Sequence, residues 1–69
     1  MRLYKIKYEG ASGTGLYYIT EASSKVKAKE NFNRDMAVTD RKKSEPMNTT
    51  KTFIKGLKKI DGRFWRRTK

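Results

Sequence analysis

An α+β fold is predicted for this sequence: a small antiparallel sheet of three or four strands with one helix packed on one face. Three features predict it. Arg2 to Glu9 and Leu16 to Thr20 alternate side-chain character with a period of two, as half-buried strands do. Gly10 to Gly15 holds three glycines in six residues, which suits a turn with access to positive φ. From Lys25 the period lengthens, and Ala28, Phe32 and Met36 fall four apart on one helical stripe.

In the first strand Tyr4, Ile6 and Tyr8 share a face that should meet the helix. In the second, Tyr17 and Ile19 lie on one face and Leu16, Tyr18 and Thr20 on the other. Tyr18 and Leu16 are the better candidates for exposure on the open side of the sheet. The two strands read as an antiparallel hairpin with a long glycine loop. Ser23 or Ser24 is placed to cap a helix over Lys25–Met36, since a hydroxyl can accept from an orphan amide of the first turn. Val26 extends its apolar stripe to one side, and Lys27, Glu30, Asn31 and Arg34 should face water. The stripe is narrow, so the helix depends on the sheet.

Residues 37–50 lack a period and contain Arg41-Lys42-Lys43 and Glu45-Pro46. They read as a loop with room for a short turn of helix. Thr52 to Ile60 fits either element. As a strand it alternates Phe53, Lys55, Leu57 and Lys59 against Ile54, Gly56, Lys58 and Ile60. As a helix it groups Phe53, Leu57 and Ile60 behind a cap at Thr49 or Thr50, and Gly56 weakens that helix by roughly 1 kcal/mol relative to Ala. The strand is preferred, because Asp61-Gly62 reads as a two-residue hairpin turn leading to a short strand at Arg63–Arg66. The order is then β-β-α-β with a short fourth strand. Residues 1–69 form one domain: a hairpin-plus-helix scaffold over 1–36, a loop over 37–50 and a basic strand region over 51–69. The face away from the helix is left rich in Lys and Tyr.

Composition narrows the function. Hydrophobic residues make up 35% of the chain and charged residues 36%, near the border between a thin-cored domain and disorder. The four Tyr, three Phe and one Trp tip it towards folding. The absence of Cys and His excludes disulfides, the usual zinc sites and Ser-His or Cys-His catalysis within this chain. Glu9, Glu21, Glu30, Asp35, Asp40, Glu45 and Asp61 are scattered, with no acid–base or metal spacing. The glycine loop lacks the Lys-Ser ending of a phosphate-binding loop. The expectation is a non-enzymatic protein with no cofactor, no metal and no small-molecule substrate. No apolar run suits a membrane helix or signal peptide, so a cytoplasmic location is expected.

Net charge is +11, from 18 Lys and Arg against 7 Asp and Glu. Residues 41–69 hold eleven of the basic and two of the acidic residues, a net of +9. Such a density repels itself unless a polyanion relieves it. Lys55, Lys58, Lys59, Arg63, Arg66 and Arg67 interleave with Phe64 and Trp65. Cations neutralise phosphates with release of counterions, and exposed rings stack on unpaired bases. Arg41, Lys42 and Lys43 form a second candidate phosphate clamp. Against this stands a plainer reading, in which Phe64 and Trp65 close the core and the charges are solvated. The expected partner is RNA or DNA, held mainly through phosphates with low sequence specificity. The alternative is an inhibitor or regulator docking its basic face on an acidic host protein. A membrane-surface role would need 53–67 to be one amphipathic helix, which Gly56 and Asp61-Gly62 oppose. Open sheet edges allow a homodimer.

The run Leu3-Tyr4-Lys5-Ile6-Lys7-Tyr8, the second strand Tyr17-Tyr18-Ile19, the Ser-capped helix Ser23-Ser24-Lys25-Val26-Lys27-Ala28-Lys29 and the stretch Ile54-Lys55-Gly56-Leu57-Lys58-Lys59-Ile60 together resemble, in rhythm, small phage-encoded proteins of undefined function. The resemblance spans about two-thirds of the chain. It implies a viral or mobile-element context, hence the host cytoplasm, and no catalytic residues.

Overall fold

The computed structural model describes residues 1–10, 13–36 and 42–67. Its elements run β1 (Arg2–Gly10), β2 (Gly13–Ala22), α1 (Lys25–Asp35), β3 (Met47–Asn48), α2 (Lys51–Lys55), β4 (Leu57–Asp61) and β5 (Phe64–Arg67). The class is α+β as expected, but among the described residues the sheet has five antiparallel strands in the order β3-β1-β2-β5-β4 and there are two helices.

Register decides which side chains meet α1. β1 and β2 pair Tyr4 with Thr20, Ile6 with Tyr18 and Tyr8 with Leu16, and directly opposed residues of an antiparallel pair share a face. Tyr18 and Leu16 therefore lie with Ile6 under the helix. Tyr18 is fully buried and Leu16 nearly so, which corrects the expectation that they line an open face. Phe32 enters this cluster, and Met36 and Phe64 pack against it. Tyr18 meets Phe32 nearly edge to face at 5.2 Å and Phe64 at 5.1 Å, geometry that aromatic quadrupoles favour. A second cluster joins Tyr4, Ala22 and Ala28.

Ser24 caps α1, its hydroxyl accepting from Lys27 N at 3.3 Å. Two expectations for the helix surface change. Val26 is exposed rather than part of the stripe. Asn31 is half-buried, and its amide donates to the Thr20 hydroxyl at 3.1 Å, satisfying a polar group inside the sheet.

The segment read as a loop over 37–50 is an edge of the sheet where it is described. Glu9 N donates to Lys42 O, Ser44 N to Lys7 O and Thr49 N to Leu3 O, while β3 pairs Met47 with Lys5. Pro46 is fully buried. Proline has no amide to donate, so an edge position with a break suits it. A strand takes the place of the expected turn of helix.

Residues 52–60 are neither one strand nor one helix. Thr50 caps α2 by accepting from Phe53 N at 3.2 Å, Gly56 closes the helix, and β4 begins at Leu57. Gly62 carries φ +55 and no non-glycine residue described has positive φ. Positive φ at the first of two central residues fits a type II′ hairpin turn. The turn residues are thus Gly62 and Arg63, one later than expected, with Asp61 paired to Phe64. A bulge between Lys59 and Asp61 absorbs the offset and leaves Ile60 half exposed.

Candidate functional site

The second face of the sheet carries the odd-numbered residues of β1, β2 and β5. It is not open along its length, because α2 lies on it. Phe53 meets Tyr17 edge to face at 5.4 Å, and Lys5 Nζ stands 3.8 Å from the Phe53 ring centroid. Tyr17 and Ile19 are buried beneath this layer.

The registers line up one cross-strand row, which passes under α2 at Tyr17. Lys7 opposes Tyr17, Tyr17 opposes Trp65, and Trp65 opposes Lys59. The row crosses four strands, a span of about 14 Å at the usual strand spacing. Trp65 is half-buried, and Lys59 Nζ lies 6.0 Å from its ring centroid. Arg67 follows on the same face of β5, its guanidinium donating to Tyr17 OH at 3.2 Å. Gly15, at φ +78, lies beside the stem of Arg67, which an added Cβ would meet at 3.8 Å. Among the described residues no ion pair forms to Lys5, Lys7, Lys59 or Arg67.

A recess of about 400 Å³ opens next to Trp65. Leu3, Ile19 and Trp65 supply apolar surface, and Glu21, Gly62 and Arg63 also border it. Glu21 opposes Leu3 across the β1–β2 ladder and is exposed.

The residues singled out from sequence do not gather at one place. Arg41 lies outside the described residues. Lys42 and Lys43 sit along the outer edge of β1, at the far side of the sheet from β4. Lys43 is anchored to α1: it donates to Asn33 Oδ1 at 3.3 Å and stands 5.5 Å from the Phe32 ring centroid. Lys58 and Arg66 oppose each other on the α1 side of the β4–β5 hairpin. Lys55 ends α2 and is exposed. Arg63 pairs with Asp35 at 3.4 Å. Phe64 belongs to the core cluster, so of the two aromatics only Trp65 faces the basic row. Lys59, Trp65 and Arg67 do share one face. Lys5 and Lys7, which join them there, were missed; their alternation with Tyr4, Ile6 and Tyr8 was the signal that could have found them.

Asp35 is a carboxylate tuned by its neighbours. Tyr18 OH donates to its Oδ2 at 2.6 Å, and this bond, helped by Arg34 and Arg63, holds the carboxyl below its usual range against some desolvation. Burial, then the same bond, pushes the Tyr18 phenol up to about 12. The cluster belongs to the α1 side and is structural in geometry, tying the helix end to β2 and to the hairpin turn. No single helix runs through 53–67 as a membrane-surface role requires, and no described helix is long and apolar enough to cross a membrane. Comparison with family models, curated proteins and solved structures returns no match.

Proposed function

We propose that this protein binds single-stranded nucleic acid on the α2 side of its sheet, with Trp65 as a stacking surface and Lys5, Lys7, Lys59 and Arg67 as phosphate contacts. The observation that carries this reading is the row Lys7–Tyr17–Trp65–Lys59, flanked by cations that no carboxylate neutralises among the described residues. Cations set around a half-buried ring match what unpaired bases need: charge along the backbone and a π-face for the base. A duplex offers its bases stacked inside and gives such a ring nothing to take up. Phosphate contact dominates, so specificity along the strand as a whole is low. The phage-like rhythm of the sequence suits an accessory protein acting in a host cytoplasm.

The chain contains one tryptophan, so its intrinsic fluorescence reports the site directly. Titration with short unstructured oligonucleotides should quench it. With four phosphate contacts, log K should fall against log salt with a slope of about −3, from roughly −0.7 per contact. Trp65→Ala should weaken binding by about 1–3 kcal/mol, the usual worth of one stacked base, and Trp65→Phe by less. Affinity that is flat with salt, or unchanged in Trp65→Ala, would overturn the reading. A stoichiometric acidic protein captured from nuclease-treated lysate, with no oligonucleotide binding, would assign the face to protein docking instead.

A further inference from the structure

The recess beside Trp65 lies to one side of the basic row, along the strands towards Leu3 and Glu21, and its chemistry differs from the rest of the face. Its walls include the apolar surfaces of Met1, Leu3, Ile19 and Trp65. Arg63, whose guanidinium pairs with Asp35 at 3.4 Å, stands at its border, as does Glu21. A carboxylate there opposes phosphate binding by like-charge repulsion. It also has no ion-pair partner among the described residues. It contributes to binding only if it meets hydrogen-bond donors, since an ionised carboxylate accepts through both oxygens and donates nothing.

Among unpaired bases, guanine presents two adjacent donors on its Watson–Crick edge, N1–H and N2–H₂. These match the two oxygens of one carboxylate. Adenine and cytosine present a single amino donor next to a ring acceptor, and uracil or thymine one imino donor between two carbonyls. Each of those arrangements turns a lone pair towards the carboxylate. We propose that the recess takes one unpaired guanine base of the bound strand, its ring against Trp65 and its N1–H and N2–H₂ donating to Glu21. The inference rests on the nucleic-acid reading above and adds one point of base selection to a face that is otherwise indifferent to sequence. Glu21 is a specificity residue on this account, and the cations supply the bulk affinity.

The test uses the full chain and three short strands: oligouridine, the same strand with one central guanosine, and the same strand with inosine there. Inosine keeps N1–H and lacks the N2 amino group. Binding is followed by Trp65 fluorescence at low salt. The guanosine strand should bind about 5–100-fold more tightly than oligouridine, the range one good bidentate base contact gives, with inosine in between. In Glu21→Gln, which is exposed and isosteric, the preference should fall to within about twofold, while oligouridine binds as well as before or better. Equal binding of all three strands by the unaltered protein overturns the guanine site and leaves the proposed function standing. A guanosine preference that survives Glu21→Gln removes Glu21 as its reader. Failure of every strand to bind at low salt sinks both proposals.

Discussion

Asp35 shows how much one side chain can hold. It sits at the C-terminal end of α1, where the helix dipole disfavours a negative charge. Two donors and a neighbouring cation offset that cost: Tyr18 OH at 2.6 Å, Arg63 at 3.4 Å, and the Arg34 guanidinium in ion-pair range at 3.6 Å. A short O–H···O⁻ bond of this kind is among the stronger ones in proteins. Tyr18→Phe keeps the ring packing on Phe32 and Phe64 and should cost about 1.5–3 kcal/mol at neutral pH, measured by denaturant unfolding. The two groups predict opposite pH limbs. Tyr18 keeps its proton up to about 12 in the fold against an ordinary 10.0. The unfolded chain therefore ionises first, and its stabilisation is complete below 10 and lost as pH rises towards 12. Asp35 has a lowered value, so its stabilisation is present above the ordinary carboxylate range and is lost as pH falls through the lowered one. The alkaline limb should vanish in Tyr18→Phe, and the acid limb should shrink in Asp35→Asn. At this scale the sequence was half legible. Alternation separated the faces of β2 correctly, but it could not say which face meets the helix. That choice is made by the β1–β2 register, which sets Tyr18 opposite Ile6 and Leu16 opposite Tyr8 and shifts between Tyr8 and Gly10.

At the scale of elements, the sequence was clearest where one period runs unbroken. β1 and α1 fall close to their expected bounds, and Ser24 is one of the two expected caps. β2 runs Gly13–Ala22 rather than Leu16–Thr20, because the ladder continues through Gly10 and Gly13 where a glycine loop was expected. It was least clear over 52–60, where four helical residues, Gly56 and four strand residues share one window and each alone fits the wrong pattern. A five-residue helix has no stability of its own. What holds α2 is Thr50 at its start and Phe53 pressed between Tyr17 and Lys5. Phe53→Ala should therefore release α2 and cost about 2 kcal/mol, below the 3–5 kcal/mol of a fully buried Phe because the ring is half-buried. Amide exchange should quicken over 51–55 and stay slow in β1, β2 and α1; uniform loss of protection would contradict this. Residues 42–49 were misread because edge pairing leaves little imprint on sequence. Backbone amides and carbonyls do the work there, and a buried Pro46 looks like a loop signal.

For the whole molecule, charge is the dominant quantity. A net +11 on 69 residues sets repulsion against a thin core, and the few ion pairs formed are largely solvent-exposed, where each contributes little. Raising salt from about 0.02 M to about 0.5 M shortens the Debye length to a few ångströms. Tm should rise by roughly 5 °C, equivalent to about 1 kcal/mol for a domain this size, as calorimetry can follow. A fall in Tm would mean the ion pairs outweigh the repulsion. The candidate site was legible as an inventory and not as a place. Counting cations found the basic stretch, and alternation divides Lys59 from Lys58, but only the strand order and registers bring in Lys5 and Lys7 from the other end of the chain. That strand order also has a temporal meaning. The β1–β2 hairpin occupies the middle of the sheet, and β5 joins its flank. During synthesis the chain emerges from its N-terminal end, so β1, β2 and α1 leave the ribosome before Lys59 and Trp65 do. The cross-strand row is then closed last: Lys7 and Tyr17 emerge well before the β4–β5 hairpin that sets Trp65 and Lys59 beside them.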